Sequence, residues 1–424
     1  MARQQITAPL FDTRSRTRKP ALALLAVIAT VLTISTAQAQ TLTALHTFTG
    51  PDGRVPIAGV TRDAAGNLYG STEFGGAYDD GLVFKLVRSG SNWILHPLYS
   101  FPPGGGSPVG GVTIGSDGDL YGTTNGGGQH GAGTVYKLSP PATVCRSFLC
   151  PWTETVLYNF TGGADGANSD AAVIFDSAGN LYGTTSGGGT GSNGVVFKLT
   201  HSGSDWTESV LYSFTNSPDG SGPFSGVTFD QNGNLYGTTL SGGTGSGEGS
   251  GTVYQLTPSG SHWMERVIYS FQGSDDGAIP YAGLVVDPNG NLYGASFYGG
   301  ARNGGAIFEL TPSSGSWTFS VIYSPLLQDL GGATGTLARA SDGTLYGTLL
   351  TGGDTQRCSG YGCGSVFQLS PSGGGWVYTS LYVFTDGADG GNPEGGLLLD
   401  SAGNLYGTTT GFLGGDGSVF EITP

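Results

Sequence analysis

A Leu-Tyr-Gly triplet recurs seven times in this chain, beginning at Leu68, Leu120, Leu181, Leu235, Leu292, Leu345 and Leu405, at intervals of 52 to 61 residues. Self-similarity at such a period restricts a chain to repeat architectures, in which each copy buries its apolar faces against its neighbours. The copy from Gly226 to Phe271 shows the order of elements: GVTFDQNGNLYGTT, a glycine-rich loop, GTVYQLTPSGSHW, then MERVIYSF. Four strands are predicted, over 227–230, 234–239, 252–256 and 263–271. The first two are joined by Asp-x-x-Gly-Asn, in which Gly supplies the positive φ of a short loop and Asp hydrogen-bonds the turning backbone. In the last, Val267, Tyr269 and Phe271 alternate with Ile268 and Ser270, the period of two of a strand. Four short antiparallel strands per period make a propeller blade, so the expected fold is all-β, a seven-bladed β-propeller over residues 40–424.

The ends of the chain carry the closure. After the seventh triplet only Ser418-Val419-Phe420-Glu421-Ile422 remains, a third strand without a fourth. The missing strand is at the other end, where Leu42-Thr43-Ala44-Leu45-His46-Thr47-Phe48 aligns with Glu154-Thr155-Val156-Leu157-Tyr158-Asn159-Phe160. The N-terminal strand is therefore expected to complete the last blade, a closure that removes exposed sheet edges. Six tryptophans, Trp93, Trp152, Trp206, Trp263, Trp317 and Trp376, each open a fourth strand.

Residues 1–39 differ in character. Arg3, Arg14, Arg16, Arg18 and Lys19 precede an apolar stretch from Ala21 to Ile34, and Ala37-Gln38-Ala39 follows. That is the pattern of a secretory signal peptide cleaved between Ala39 and Gln40. The rival, an uncleaved anchor, is disfavoured because the stretch is shorter than the roughly 18 to 20 residues that span a bilayer. A secreted or periplasmic product without a transmembrane segment is expected. With 31 acidic against 16 basic side chains and a net charge of −15, more negative still once the leader is removed, the protein would repel a phosphate backbone, which excludes nucleic acid as a partner.

Export permits disulfides. The four cysteines fall as Cys145 with Cys150 and Cys358 with Cys363, inside the two longest repeats. Because the repeat register puts the two pairs on opposite faces, local bridges pinning loop insertions are favoured over a four-thiolate zinc site.

The pattern Asn-Leu-Tyr-Gly-Thr-Thr, Gly-Gly, Gly-Thr-Val-Phe-Lys-Leu and Leu-Tyr-Ser-Phe, nearly intact over 180–199 and 208–214, resembles the GloVer (Gloeo-Verruco) tandem repeat of bacterial extracellular proteins, and the resemblance covers essentially all of 41–424. The spaced Gly-Gly, aromatic and Trp also look like kelch repeats, a weaker match. The GloVer resemblance implies an exported protein. It implies no catalytic residues, and the surface-anchoring segment that often ends such proteins is not expected here.

Candidate chemistry lies in the loops joining fourth to first and second to third strands, which share the channel-mouth face of a propeller. Asp52, Asp165, Asp219, Asp276 and Asp389 each precede glycine in the first set. They read either as a cation or cationic-ligand site, calcium being possible because Ca²⁺ takes several oxygen ligands, or as ordinary Asp-Gly turns. The second set varies most and holds Tyr78, Asp79, His130, Glu248, Arg302 and Arg357; these are binding candidates or solvated loop tips. The metal content and any cofactor are left open, and a monomer is expected because closure leaves no edge. The histidines form no ring and the Ser/Gly clusters lack the Lys and helix of a P-loop. The function favoured is a non-enzymatic binding scaffold for an extracellular protein or a carbohydrate. The competing reading is a hydrolase or lyase on glycans, with Asp165 and Asp219 as acid and base.

Overall fold

A computed structural model describes residues 40–141, 152–203, 205–245, 250–325 and 332–423. The leader 1–39, Cys145, Cys150 and Glu248 lie outside the described residues. Seven four-stranded antiparallel sheets follow one another along the chain. Six are built from consecutive strands. The seventh is ordered Thr41–Thr47, Ser418–Thr423, Leu405–Thr409, Leu398–Leu399, with Thr41 opposite Thr423 and Thr47 opposite Ser418. The N-terminal strand thus completes the last blade, as the alignment of 42–48 with 154–160 predicts.

The triplet is explained by what lies over its glycine. Gly183 pairs directly with Phe197 on the third strand, and Gly237 with Tyr254. The aromatic ring lies flat across the glycine, so that in all seven blades an added Cβ would come within 2.6 Å or less of a ring atom. These rings are fully buried. The leucine before the glycine is buried on the same sheet, and the tyrosine between them points the other way. In five blades its hydroxyl donates to the turn aspartate, as Tyr182 does to Asp176 at 3.0 Å and Tyr236 to Asp230 at 3.1 Å, whereas Tyr293 donates to Glu309. Asp176 also accepts the backbone N–H and the side-chain amide of Asn180, and Gly179 has φ of 82°. The Asp-x-x-Gly-Asn loop therefore locks itself and the strand that follows.

Blade packs on blade through a repeated aromatic step. The phenylalanine ending each fourth strand meets the third-strand aromatic of the next blade edge to face, with centroids 5.0–5.3 Å apart and planes inclined 63–68°, in six pairs: Phe101–Tyr136, Phe160–Phe197, Phe214–Tyr254, Phe271–Phe308, Phe384–Phe420 and Phe48–Phe84. The last of these crosses the closure with the same geometry as the rest. In the remaining seam Pro325 stands where phenylalanine would, and Tyr323 stacks on Tyr378 at 4.3 Å, as Tyr269 does on Phe319 at 3.8 Å in the seam before it. Each of the seven buried clusters draws on two neighbouring blades. Apolar burial at the seams is the main stabilising term in such an array.

Two strand boundaries differ from the sequence expectation. First strands are shorter; Thr228–Phe229 is paired where 227–230 is predicted. Val227 lines the axial cavity, and Asp230 is spent on the hairpin turn, rather than continuing the ladder. Third strands are longer, with Thr252–Ser259 paired to His262–Ser270. The segment TPSGSHW is a continuous hairpin whose two-residue turn opens on Gly260 at φ 63°, the conformation that a Gly-first tight turn requires.

Two seams hold a carboxylate whose charge is costly. Glu208 and Glu265 sit on fourth strands with one side-chain oxygen buried and unpaired. Burial, and then the nearby Asp165 and Asp219 respectively, push them up to about 7. A carboxyl whose folded value lies above its unfolded 4.5 keeps a proton that the unfolded chain has released, so its stabilising contribution is present below about 4.5 and is lost as pH rises through about 7. The melting temperature should therefore fall between pH 5 and 7.5, and a Glu208→Gln, Glu265→Gln double variant should flatten that fall in calorimetric scans. Separately, Gly237→Ala should lower stability by about 1–3 kcal/mol or more, the cost of overpacking against a buried ring, measured by denaturant unfolding against a Gly→Ala control at Gly375, an exposed glycine without a positive φ and with no atom closer than 3.9 Å to an added Cβ.

Candidate functional site

Loops of the two predicted sets do come together on one face. Short bridges join them in four blades: Arg54 to Phe74, Ala167 to Gly187, Ser221 to Ser241 and Ala278 to Tyr298. In the middle of that face opens an axial cavity of about 660 Å³.

The Asp-Gly aspartates do not line it. Each folds back on its own loop at the outer end of the crossing. Asp219 accepts from Thr215 N at 3.0 Å, Thr215 Oγ1 at 2.7 Å and the Tyr212 hydroxyl at 2.7 Å, and is 3% exposed. Asp165 and Asp389 repeat this with Thr161 and Tyr158, and with Thr385 and Tyr382. Asp276 does so with Gln272 and Tyr269. Asp52 does so with Thr49 and with His46, which stands in the tyrosine's place. Burial works against ionisation of Asp165, but the hydrogen bonds from Thr161 and Tyr158 outweigh it and hold the carboxyl below its ordinary value. That suits a turn lock and not a general acid. Among the described residues no three His, Cys, Asp or Glu side chains converge closely enough to hold a metal ion.

The variable-loop candidates are spread around the rim. Tyr78 is exposed, Asp79 pairs with Arg54 at 3.0 Å, and His130 lies exposed at a loop tip. Arg302 is exposed, and its backbone N–H reaches Ser324. Arg357 pairs with Asp354 at 3.2 Å and leads into the Cys358–Cys363 disulfide, the local bridge expected from the spacing. Large exposed apolar side chains also collect on these loops: Tyr298, Tyr361, Leu413 and Tyr78, in the adjoining blades five, six, seven and one.

What lines the cavity was missed by sequence reasoning. The residue three positions ahead of each first-strand apolar anchor faces the mouth: Ile57, Val109, Asp170, Phe224, Tyr281, Thr334 and Glu394, one from each blade and each different. Its neighbours are constrained. The two residues after it are mostly glycine or alanine, because adjoining inner strands pass so closely that a Cβ on Gly59 would strike the Gly396 carbonyl. The residue before it is proline in five blades, which fixes the approach of the chain. A position that varies in all seven copies between constrained ones was the available signal.

Glu73 and Asn125, each directly after a second strand, add to this lining. The ring is uneven. Carboxylates occupy blades seven, one and three as Glu394, Glu73 and Asp170; Phe224 and Tyr281 form a touching aromatic pair on blades four and five, with centroids 4.8 Å apart. Asp170 accepts from the Ser186 hydroxyl at 2.7 Å and from the Asn125 amide. Burial nevertheless raises it above the ordinary aspartate value. Burial pushes Glu394 up to about 7, with Glu73 adding to the effect. Glu73 is raised by burial and by Asp170 although Arg54 opposes this, and Tyr281 is raised by burial and by all three carboxylates. The four groups therefore share one electrostatic environment. Among the described residues no Lys or Arg lines the cavity.

Asp219→Ala should cost about 1–3 kcal/mol in denaturant unfolding, since it removes a nearly buried carboxylate that accepts three hydrogen bonds from Thr215 and Tyr212.

No curated protein matches this sequence. Among solved structures, the extracellular domain of a candidate hybrid two-component system of B. thetaiotaomicron matches over 90% of this chain and 39% of its own, at 12% identity and TM-score 0.55. PorZ, a surface component of the type-IX secretion system of Porphyromonas gingivalis, matches over 89% and 47%, at 15% identity and TM-score 0.51. This chain thus spans less than half the length of either, and the likenesses show the fold alone. A family model described as the Gloeobacter/Verrucomicrobia repeat matches residues 29–152, 149–358 and 245–424. With that match running through all seven blades, the chain belongs to the Gloeobacter/Verrucomicrobia repeat family.

Proposed function

We propose that this protein is an exported binding scaffold whose ligand enters the axial mouth. The reading is carried by one observation: seven structurally equivalent positions hold seven different side chains around one cavity, while the frame behind them repeats. A repeated frame with one free position per copy is how a recognition surface is made specific without disturbing the core. Export is supported by the N-terminal leader pattern and by the Cys358–Cys363 disulfide, a bond that persists in oxidising compartments. The extracellular domain and the surface component that share the fold are in keeping with it. The exposed tyrosines on the rim loops extend the same face, where a cell-surface protein or a polysaccharide would be met.

Purified protein incubated with cell-wall and polysaccharide fractions is expected to be retained on at least one, with retention reduced 10-fold or more by Phe224→Ala, Tyr281→Ala and unaffected by Met264→Ala on the outer strand. Equal loss from both variants would detach binding from the mouth. The half-buried carboxylates Glu394 and Glu73 also favour a second reading, a hydrolase or lyase in which Glu394, poised near 7, acts as acid. Release of soluble fragments from a retained polymer, abolished by Glu394→Gln, would establish it.

A further inference from the structure

Carboxylates at a loop-lined opening mark nothing by themselves; what gives this mouth a defined chemistry is the combination of groups in one cavity. The Phe224–Tyr281 pair supplies a continuous aromatic wall of two rings at 4.8 Å. Blades seven, one and three supply carboxylates, and Ile57 and Val109 make the wall between apolar. Asp170 is committed to Ser186 and Asn125. Glu394 and Glu73 have no hydrogen-bond or ion-pair partner of their own among the described residues; Arg54, already paired with Asp79, acts on Glu73 from outside the cavity lining, and no described basic side chain is part of that lining.

Half-buried carboxylates without partners are costly to a fold unless something else compensates them. Phosphates, carboxylates and sulfates are disfavoured by this charge. A neutral sugar could stack on the aromatic wall, but its hydroxyls would recover little of the cost of desolvating two anions. A ligand with a protonated amine recovers it, because the ammonium donates to both carboxylates in a poorly hydrated site while its ring or apolar body lies on Phe224 and Tyr281; aromatic faces and carboxylates both attract cations.

Resting on the mouth as the binding site proposed above, we infer that the ligand is an organic cation, a primary amine carried on a ring-bearing body, held between the Phe224–Tyr281 wall and the unpaired carboxylates of Glu394 and Glu73. Ionisation of Glu394 is part of binding, so affinity rises with pH through the upper range in which that carboxyl titrates while the amine stays protonated.

The test is calorimetric titration of the purified protein with tyramine, N-acetyltyramine and 3-(4-hydroxyphenyl)propanoate, which share one ring and differ in charge, and with glucosamine against N-acetylglucosamine for a sugar body. Tyramine or glucosamine is expected to bind saturably at pH 7.5, its neutral acetylated partner at least 10-fold more weakly, and the anion not at all. Affinity for the amine should rise several-fold from pH 5.5 to 7.5. Glu394→Gln should weaken the amine at least 10-fold and remove the pH dependence while keeping the melting temperature or raising it, because an unpaired half-buried charge is gone. Equal affinity for the amine and its acetylated partner, both lost in Phe224→Ala, Tyr281→Ala, would overturn the cation and leave the mouth as the binding site. Amine binding indifferent to both the aromatic and Glu394 variants would overturn the site itself, and the absence of saturable binding by either amine would overturn the inference.

Discussion

A bare glycine under an aromatic ring is the contact on which this molecule depends. Every second strand gives up a side chain at one position so that the third-strand phenylalanine or tyrosine can lie across the backbone. That ring is thereby flattened into the sheet and presented to the phenylalanine of the preceding blade, edge to face. One contact inside the blade thus prepares the contact between blades. Because blades stack only on neighbours, the seven seams carry the stability of the whole. A side chain at the glycine would lift the ring and loosen both at once.

Closure uses no special device. Phe48 reaches Phe84 as Phe160 reaches Phe197, and Thr408 donates to the Ala58 carbonyl across the join much as Thr184 donates to Ser225 between ordinary blades. The first and last strands of the ring are bonded to each other along the sheet. The exception to the pattern is informative. Where Pro325 replaces phenylalanine, the seam keeps the Tyr323–Tyr378 stack, the counterpart of Tyr269 on Phe319 one seam earlier, and where Glu208 and Glu265 stand in the stacking position, the seam carries a carboxylate that burial pushes up to about 7. The repeat tolerates local substitutions of this kind because each seam is a separate packing problem.

A frame so constrained leaves few positions free, and those positions carry the side chains that differ from blade to blade. Along the inner wall glycine and alanine are forced by the closeness of adjoining strands, and proline sets the approach. The side chain between them is held firmly and has room to vary. In blade order its seven occupants are Ile57, Val109, Asp170, the Phe224–Tyr281 pair, Thr334 and Glu394 around one opening. Each is placed a few residues ahead of a first strand, on backbone held close to its neighbours around the axis.

Much was legible from the chain alone. The triplet count specified seven blades, the mismatch of its two ends specified closure, and Asp-x-x-Gly-Asn specified the first hairpin down to the role of each residue, because all of these are periodic or local. The local Cys358–Cys363 bridge was favoured because the repeat register puts the two cysteine pairs on opposite faces. The carboxylates were another matter. Asp165 and Asp219 occur at a turn that could sit at either end of a crossing, and only the three-dimensional path shows that their oxygens are spent on Thr161, Thr215, Tyr158 and Tyr212 at the outer end. Glu73, Asp170 and Glu394 belong to blades far apart in the chain and to two different loop sets, so no spacing relates them. Local and periodic features, which depend on neighbours in sequence, were determined by the sequence itself; the convergence of single side chains from separate blades onto one axis depends on ring closure, and only the tertiary structure decided it.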